Sequence, residues 1–260
     1  MEDKAIMKIT FLGTGTSTGV PMVGCNCQVC QSTDSRDKRL RCSALVEIGE
    51  GKQMTKILID CGPDFRQQAL LHGITGLDAI LLTHEHYDHV GGLDDVRALP
   101  QKLDIYTHQR VIDSIHRVMP YCFGKQHYPG APYLELHELT AGTGFDVNGI
   151  RIMPLKVIHN ADILGFRIQN LGYITDCKIM PEETIAALRG VDTLVLNALR
   201  IEQHPTHINL EEAIALAQQI GARQTYFIHF SHHIGFHSEV EPTLPEGMHL
   251  AYDGLTVITK

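Results

Sequence analysis

Short apolar runs rich in Val, Ile, Leu and Phe recur along the chain, separated by Gly, Pro, Asn and Asp. Their length and β-branched content read as strands. They fall at 6–12, 43–48, 56–60, 79–82, 103–106, 134–139, 150–158, 164–169, 171–175, 193–196, 225–230 and 255–258. Helical spacing of apolar positions appears between some of them, at 64–72, 92–99, 110–119, 181–188 and 209–220. The last helix is the best marked, with Asn209 to cap its first turn, Glu212 three residues on and Gly221 beyond its end. Strands and helices alternate in mixed order in both halves, which predicts an α/β chain with helices outside two sheets. No Pro-rich linker, charge block or repeat interrupts residues 1–260, so one domain is expected.

Composition adds chemistry to this frame. With 260 residues and 43% hydrophobic side chains the chain can bury a large core. Its formal charge of -8 offers no general basic surface to nucleic acid or an anionic membrane. The N-terminal Met1-Glu2-Asp3-Lys4 lacks the pattern of a signal peptide, and no apolar stretch reaches the length of a membrane span. The 7 cysteines are odd in number and three are bunched, a poor disulfide framework, so a reducing cytoplasm is expected. The 16 histidines point to metal chemistry.

The histidines are placed accordingly. Thr83 to His89 reads THEHYDH, directly after an expected strand. A loop leaving a strand can aim His84 and His86 at one ion while Asp88 and His89 turn toward a second. Two ions need more ligands, and His159, Asp176 and His229 all stand at strand ends. Asp60 also ends a strand, where a carboxylate can fix the tautomer of a ligand His; its competing role is a cap for the helix near Asp64.

A second cluster reads GCNCQVC, from Gly24 to Cys30. Three thiolates need a fourth ligand to close a tetrahedral zinc site, and the run His229 to His233 supplies candidates. If His229 turns to the first site, His232 can close the second. The glycines of FLGTGTSTGVP, Phe11 to Pro21, match neither a dinucleotide-binding nor a P-loop spacing, and read as a tight turn flanking the site.

On these motifs the sequence resembles the metallo-β-lactamase superfamily, which implies a four-layer αββα sandwich with a dinuclear site at the sheet edges. The resemblance implies that His84, His86 and His159 hold one ion and Asp88, His89 and His229 the other, with Asp176 bridging. Cys25, Cys27, Cys30 and His232 match, position by position, the extra zinc site of the cyclic phosphodiesterases of bacterial phosphonate breakdown. This implies a Cys-rich zinc loop within 24–42. The same resemblance places His207, in the Pro205-Thr206-His207 run, beside the dinuclear site, with His204 a weaker candidate.

The expected activity is hydrolysis of a small cyclic phosphodiester by a hydroxide bridging two divalent metals, zinc or manganese, with a third, structural zinc. His207, Asp60 and Asp88 are expected to carry catalysis, His207 assisting the leaving alkoxide. The segment 121–132, YCFGKQHYPGAP, has the turns and aromatics of a lid over the pocket. The alternatives are another hydrolase of this superfamily, acting on a tRNA 3′ end, a thioester or a lactone, and a non-catalytic metal or redox sensor. A tRNA substrate calls for a basic arm, which the sequence lacks, so nucleic acid is not expected as a partner. A homodimer is left open.

Overall fold

The computed structural model describes residues 6–124 and 128–259. One sheet collects β1 (Met7–Gly13), β2 (Ser43–Ile48), β3 (Thr55–Ile59), β4 (Ala79–Leu81), β5 (Leu103–Thr107) and β6 (Leu134–Glu138) in that order. The second lies beside it and collects β7 (Phe145–Val147), β8 (Ile150–Ile158), β9 (Asp162–Ile168), β10 (Leu171–Ile174), β11 (Thr193–Asn197), β12 (Gln224–Ile228) and β13 (Met248–Leu250). The last strand, β14 (Thr256–Thr259), returns to the first sheet and pairs antiparallel with β1. From β3 to β6 and from β10 to β13 the strands run parallel.

The layers follow from alternation along each strand. In β3, Ile57 and Ile59 face the core between the sheets while Leu58 faces outward; in β4, Ala79 and Leu81 face in and Ile80 out. In the second sheet Tyr173 and Val195 face in, whereas Ile174, Leu194 and Leu196 face out. Each outward face is apolar and needs a cover. On the first sheet it is α2 (Phe65–His72), a 3-10 helix at Leu93–Ala98 and α4 (Gln109–Val118), through Phe65, Val96 and Val111. On the second it is α5 (Glu182–Leu188) and α6 (Leu210–Ile220), through Leu188 and Ala213. This is the expected αββα sandwich. Helix α6 carries the expected caps: Asn209 accepts from the Glu212 backbone at 2.9 Å, Glu212 accepts from the Asn209 backbone at 2.8 Å, and Gly221 ends it at φ 75.

Three expectations are corrected. Residues 92–99 form a 3-10 rather than an α-helix. Strands β7 and β13 are too short to show a period of their own. Strand β12 stops at Ile228, not 230, because His229 takes φ 62 and leaves the ladder.

The parallel strands bring Asp60, the loop after β4, Asp176 and His229 to one edge of the sandwich, at the strands' C-terminal ends, as expected for ligand sites in α/β sheets. The glycine loop closes this edge. The Thr16 N–H donates to the Phe230 carbonyl and the Phe230 N–H to the Thr14 carbonyl, both at 2.9 Å, so the loop stitches β1 to the segment just after His229. A Cβ at Gly13 would sit 2.1 Å from the Arg41 carbonyl oxygen, so only glycine passes there.

Candidate metal centre

Three side chains enter the site from backbone that L-residues avoid. Asp60 (φ 60) and His229 (φ 62) are left-handed immediately after β3 and β12, and Asp176 (φ 53) two residues after the end of β10. Such a conformation costs about 1–2 kcal/mol per residue, so the surroundings must hold it. At Asp176 the holder is buried Asn197, whose Oδ1 accepts from Cys177 N at 2.7 Å and whose Nδ2 donates to Cys177 O at 3.1 Å. Thr175 adds a hydroxyl donated to Asp176 Oδ2 at 2.7 Å.

Asp60 is fully buried and ties β3 to the His-rich loop. Its Oδ1 accepts from Thr83 N at 2.8 Å, and its Oδ2 accepts from His89 Nδ1 at 2.7 Å. It does not cap α2: at that helix Asp64 instead accepts from Arg41 N at 2.8 Å. The loop then forms one helical turn, α3 (Tyr87–Val90), whose His89 N–H donates to the His86 carbonyl at 2.9 Å. That turn carries Asp88 and His89 inward.

The residues expected to act together are brought together. His84, His86 and His159 present ring nitrogens within 4.8 Å of one another, as do the donor atoms of Asp88, His89 and His229, while Asp176 groups with His84 and His89. His89 Nε2 lies 3.2 Å from both Asp88 Oδ2 and Asp176 Oδ2, and His229 Nε2 lies 3.3 Å from Asp176 Oδ1. Yet His89 Nε2 and both ring nitrogens of His229 are buried without a hydrogen bond. Leaving such atoms unsatisfied costs roughly 1–3 kcal/mol each, and a cation bound by the two Nε2 atoms, which face Asp88 and Asp176, removes that cost there.

Protonation states fit the same reading. Burial would raise the Asp176 carboxyl, but His229 and His89 beside it hold it well below the usual range. Burial also opposes ionisation of Asp88, and His89 overrides it. His84 is pushed well below the ordinary imidazole value by burial and by His89, and His159 is lowered by burial. Burial likewise opposes charge on His89, but Asp176, Asp60 and Asp88 hold its pKa well above the ordinary value. Ionised carboxylates and neutral imidazoles are the states that bind a metal, and a cation would displace the proton the acids draw to His89.

His207 joins this cluster. Its Nε2 donates to Asp176 Oδ1 at 3.0 Å, and its ring lies 4.6 Å from that of His159. Burial lowers its pKa, opposed by the bond to Asp176. It does not cap α6, a role filled by Asn209. His204 stands behind it, with ring centroids 5.3 Å apart.

The cysteine cluster forms a separate group. Cys25, Cys27, Cys30 and His232 place their donor atoms within 4.8 Å of one another. His232 Nδ1 is 3.1 Å from Cys27 Sγ and 3.5 Å from Cys25 Sγ. The His232 bond brings the Cys27 thiol down to about 6, while burial pushes Cys30 up to about 11. Three thiols and an imidazole make the donor set of a closed zinc site. Cys42, Cys61, Cys122 and Cys177 are buried free thiols elsewhere.

The 121–132 segment is described only in part, since residues 125–127, His127 among them, lie outside the described residues. Tyr121 donates to Asp94 at 2.6 Å, Phe123 packs 4.2 Å from the His116 ring, and Cys122 and Ala131 enter the helical layer over the first sheet. Sequence reasoning gave no role to Thr83, Thr175 and Asn197, since a hydroxyl or amide that only hydrogen-bonds its neighbours has no donor spacing to mark it.

Comparison with known proteins places this geometry. A family model described as "Beta-lactamase superfamily domain" matches residues 55–230. The crystal structure of a "New Diphosphatase from the PhnP Family" overlays with a TM-score of 0.89, at 38% identity and over 97% of each chain. The Octanoyltransferase of Porphyromonas gingivalis (strain ATCC BAA-308 / W83) is 46% identical over 97% of this chain, but the chain spans only 51% of that protein's length. The Ribonuclease Z of Mycobacterium bovis (strain BCG / Pasteur 1173P2) is 27% identical over 88% of each chain. A match over most of the chain and a solved relative of the same length agree with the fold, and the chain belongs to the metallo-β-lactamase superfamily, as a metal-dependent hydrolase of the PhnP family.

Proposed function

We propose that the protein hydrolyses a small phosphodiester, cyclic in its natural substrate, at the cluster of His84, His86, Asp88, His89, His159, Asp176 and His229. The observation that carries this reading is His207, an imidazole outside both expected ligand sets whose Nε2 nevertheless reaches the shared carboxylate Asp176 at 3.0 Å. A reaction that expels an alkoxide needs such a donor.

In this reading His84, His86 and His159 hold one divalent cation, zinc or manganese, and Asp88, His89 and His229 the other, with Asp176 shared. When bound, the cations supply Lewis acidity to the attacking water and to the phosphoryl oxygens. Asp60 fixes His89 with Nε2 facing inward. The His86 side of the cluster is exposed and the Asp88–His89–His229 side is buried, so substrate enters beside His86, His159 and His207. There His207 holds a proton at Nε2 for the leaving oxygen. Cys25, Cys27, Cys30 and His232 hold a structural zinc.

A second reading, cleavage at a tRNA 3′ end, draws on the likeness to Ribonuclease Z. The charge of -8 and the lack of a basic stretch weigh against it. The name of the Porphyromonas protein is not carried over, because half of that protein lies outside the match. The diphosphatase neighbour makes a diphosphate linkage the natural control.

The test is freshly purified protein, analysed for metal and assayed on cyclic phosphodiesters, bis(p-nitrophenyl) phosphate, a diphosphate-linked dinucleotide and a tRNA precursor. Turnover on the cyclic diesters well above that on the other substrates is expected. Metal-loaded protein that leaves every phosphodiester intact ends this reading, and preferential turnover of the diphosphate moves it to that bond.

A further inference from the structure

The geometry points to Thr206 as a positioning residue that serves two neighbouring imidazoles at once, its carbonyl fixing the tautomer of His159 for coordination and its hydroxyl holding the ring of His207 for proton donation. The inference rests on the role proposed for His207. Two polar atoms of Thr206 are used in two directions. Its backbone carbonyl lies 2.8 Å from His159 Nδ1, and its hydroxyl lies 2.9 Å from His207 Nδ1.

A carbonyl oxygen only accepts, so it requires the proton of neutral His159 at Nδ1 and leaves Nε2 as a free lone pair. That is the nitrogen a metal needs. At His207 the constraint runs the other way. Asp176, as the carboxylate shared in the proposed site, only accepts, so Nε2 of His207 carries the proton. Nδ1 of the neutral ring is then an acceptor, and a hydroxyl can serve it as donor. The hydroxyl also lies 3.2 Å from His204 Nδ1, but that nitrogen already receives the Thr206 N–H at 3.4 Å, so the closer His207 takes the hydroxyl proton.

The position of Thr206 is fixed from both sides. Lys178 Nζ donates to the His207 carbonyl at 3.3 Å and to Glu212 at 3.2 Å, tying the loop to α6. Asn209 anchors the following residues through its cap and through Nδ2, which donates to Ile201 O at 2.9 Å. A valine at 206 fits the same β-branched shape and keeps the carbonyl, so Thr206→Val removes only the hydroxyl function.

Two measurements test this on the full chain. In the first, ring nitrogens of 15N-histidine-labelled, zinc-loaded protein are read by NMR. Wild type should show the Nδ1–H form at His159 and the Nε2–H form at His207. Thr206→Val should leave both tautomers unchanged but shift the His207 Nδ1 resonance as its hydrogen bond is lost, with Thr206→Ser restoring it. An unchanged His207 Nδ1 resonance in Thr206→Val overturns the inference.

In the second, a diester with an alkoxide leaving group is compared with bis(p-nitrophenyl) phosphate, whose leaving group needs little protonation. General acids contribute about 10²–10⁴-fold, so a misoriented donor should lower kcat on the alkoxide substrate by roughly tenfold or more. KM and turnover of the nitrophenyl ester should change less than about twofold, and Thr206→Ser should recover most of the loss. Equal losses on both substrates, or a fall in bound metal, would show a merely structural role. If wild type cleaves no phosphodiester, the function proposed above fails, and the NMR measurement still decides the role of Thr206.

Discussion

Asp60 orients His89 before any ligand arrives. With His89 Nδ1–H donated to Asp60 Oδ2 at 2.7 Å, only Nε2 can face Asp88 and Asp176. An asparagine at 60 has one oxygen for three donors, Thr83 N–H, the Thr83 hydroxyl and His89 Nδ1–H, and no charge. Asp60→Asn should therefore weaken catalytic metal binding about 10–100-fold, read by competition with a chelator of known affinity. Unchanged affinity would mean that packing alone sets the ring. Asn197 works on the backbone instead. Asn197→Ala strands two buried groups of Cys177, at roughly 1–3 kcal/mol each, and frees the left-handed turn at Asp176. Chemical denaturation should show a loss of at least about 2 kcal/mol, with weaker metal binding beside it. At this scale the sequence is half legible. His84, His86, Asp88 and His89 announce themselves because metal donors are few in kind and their spacing is set by one loop. Thr83, Asn197 and Thr206 do not, because a buried hydrogen bond accepts many residue types and its partner is distant along the chain.

The elements that place these side chains are short and closely apposed. The turn after Asp60 and helix α3 meet backbone to backbone: the Cys61 N–H donates to the His89 carbonyl at 2.8 Å and the Gly92 N–H to the Cys61 carbonyl at 2.9 Å. A Cβ on Gly62 would lie 2.0 Å from the Asp88 carbonyl oxygen, so Gly62→Ala must push α3, and Asp88 with it, away from β3. A loss of at least about 2 kcal/mol and a fall in metal affinity are expected. Gly73 is the control, since its added Cβ meets nothing within 4 Å and only its φ of 61 is penalised. Gly73→Ala should cost about 1 kcal/mol and leave metal binding intact, as read in parallel denaturation and metal titrations. Similar behaviour of the two variants would mean that α3 yields freely. The longer elements were legible from period and caps, as at 209–220. The 3-10 helix at Leu93–Ala98 was not, because apolar spacing alone does not separate it from an α-turn.

At the scale of the whole molecule, the cysteine cluster joins what the chain order separates. Cys25, Cys27 and Cys30 lie on the connection between β1 and β2 of the first sheet, and His232 follows β12 of the second, three residues after His229. The glycine loop makes a parallel link through Thr14, Thr16 and Phe230. Two ties at one edge hold the sheets in register where the proposed catalytic cluster spans them, so a zinc bound here would support His229 without taking part in the chemistry. Met22 N donates to Cys30 Sγ and Cys30 N to Cys27 Sγ, both at 3.4 Å, which preorganises the thiols for a cation. Cys27→Ser removes one thiolate from a closed set while touching no residue of the dinuclear cluster. The variant should bind one metal fewer per chain than wild type, measured by elemental analysis. For a chain of this size 1 kcal/mol moves Tm by about 2–4 °C, so losing this tie should lower Tm by at least about 5 °C. kcat/KM should fall only in proportion to disorder at His229, and added zinc should not restore the missing equivalent. An unchanged metal count would assign these four residues to thiol chemistry instead, and the glycine loop would then be the tie that holds the two sheets at this edge.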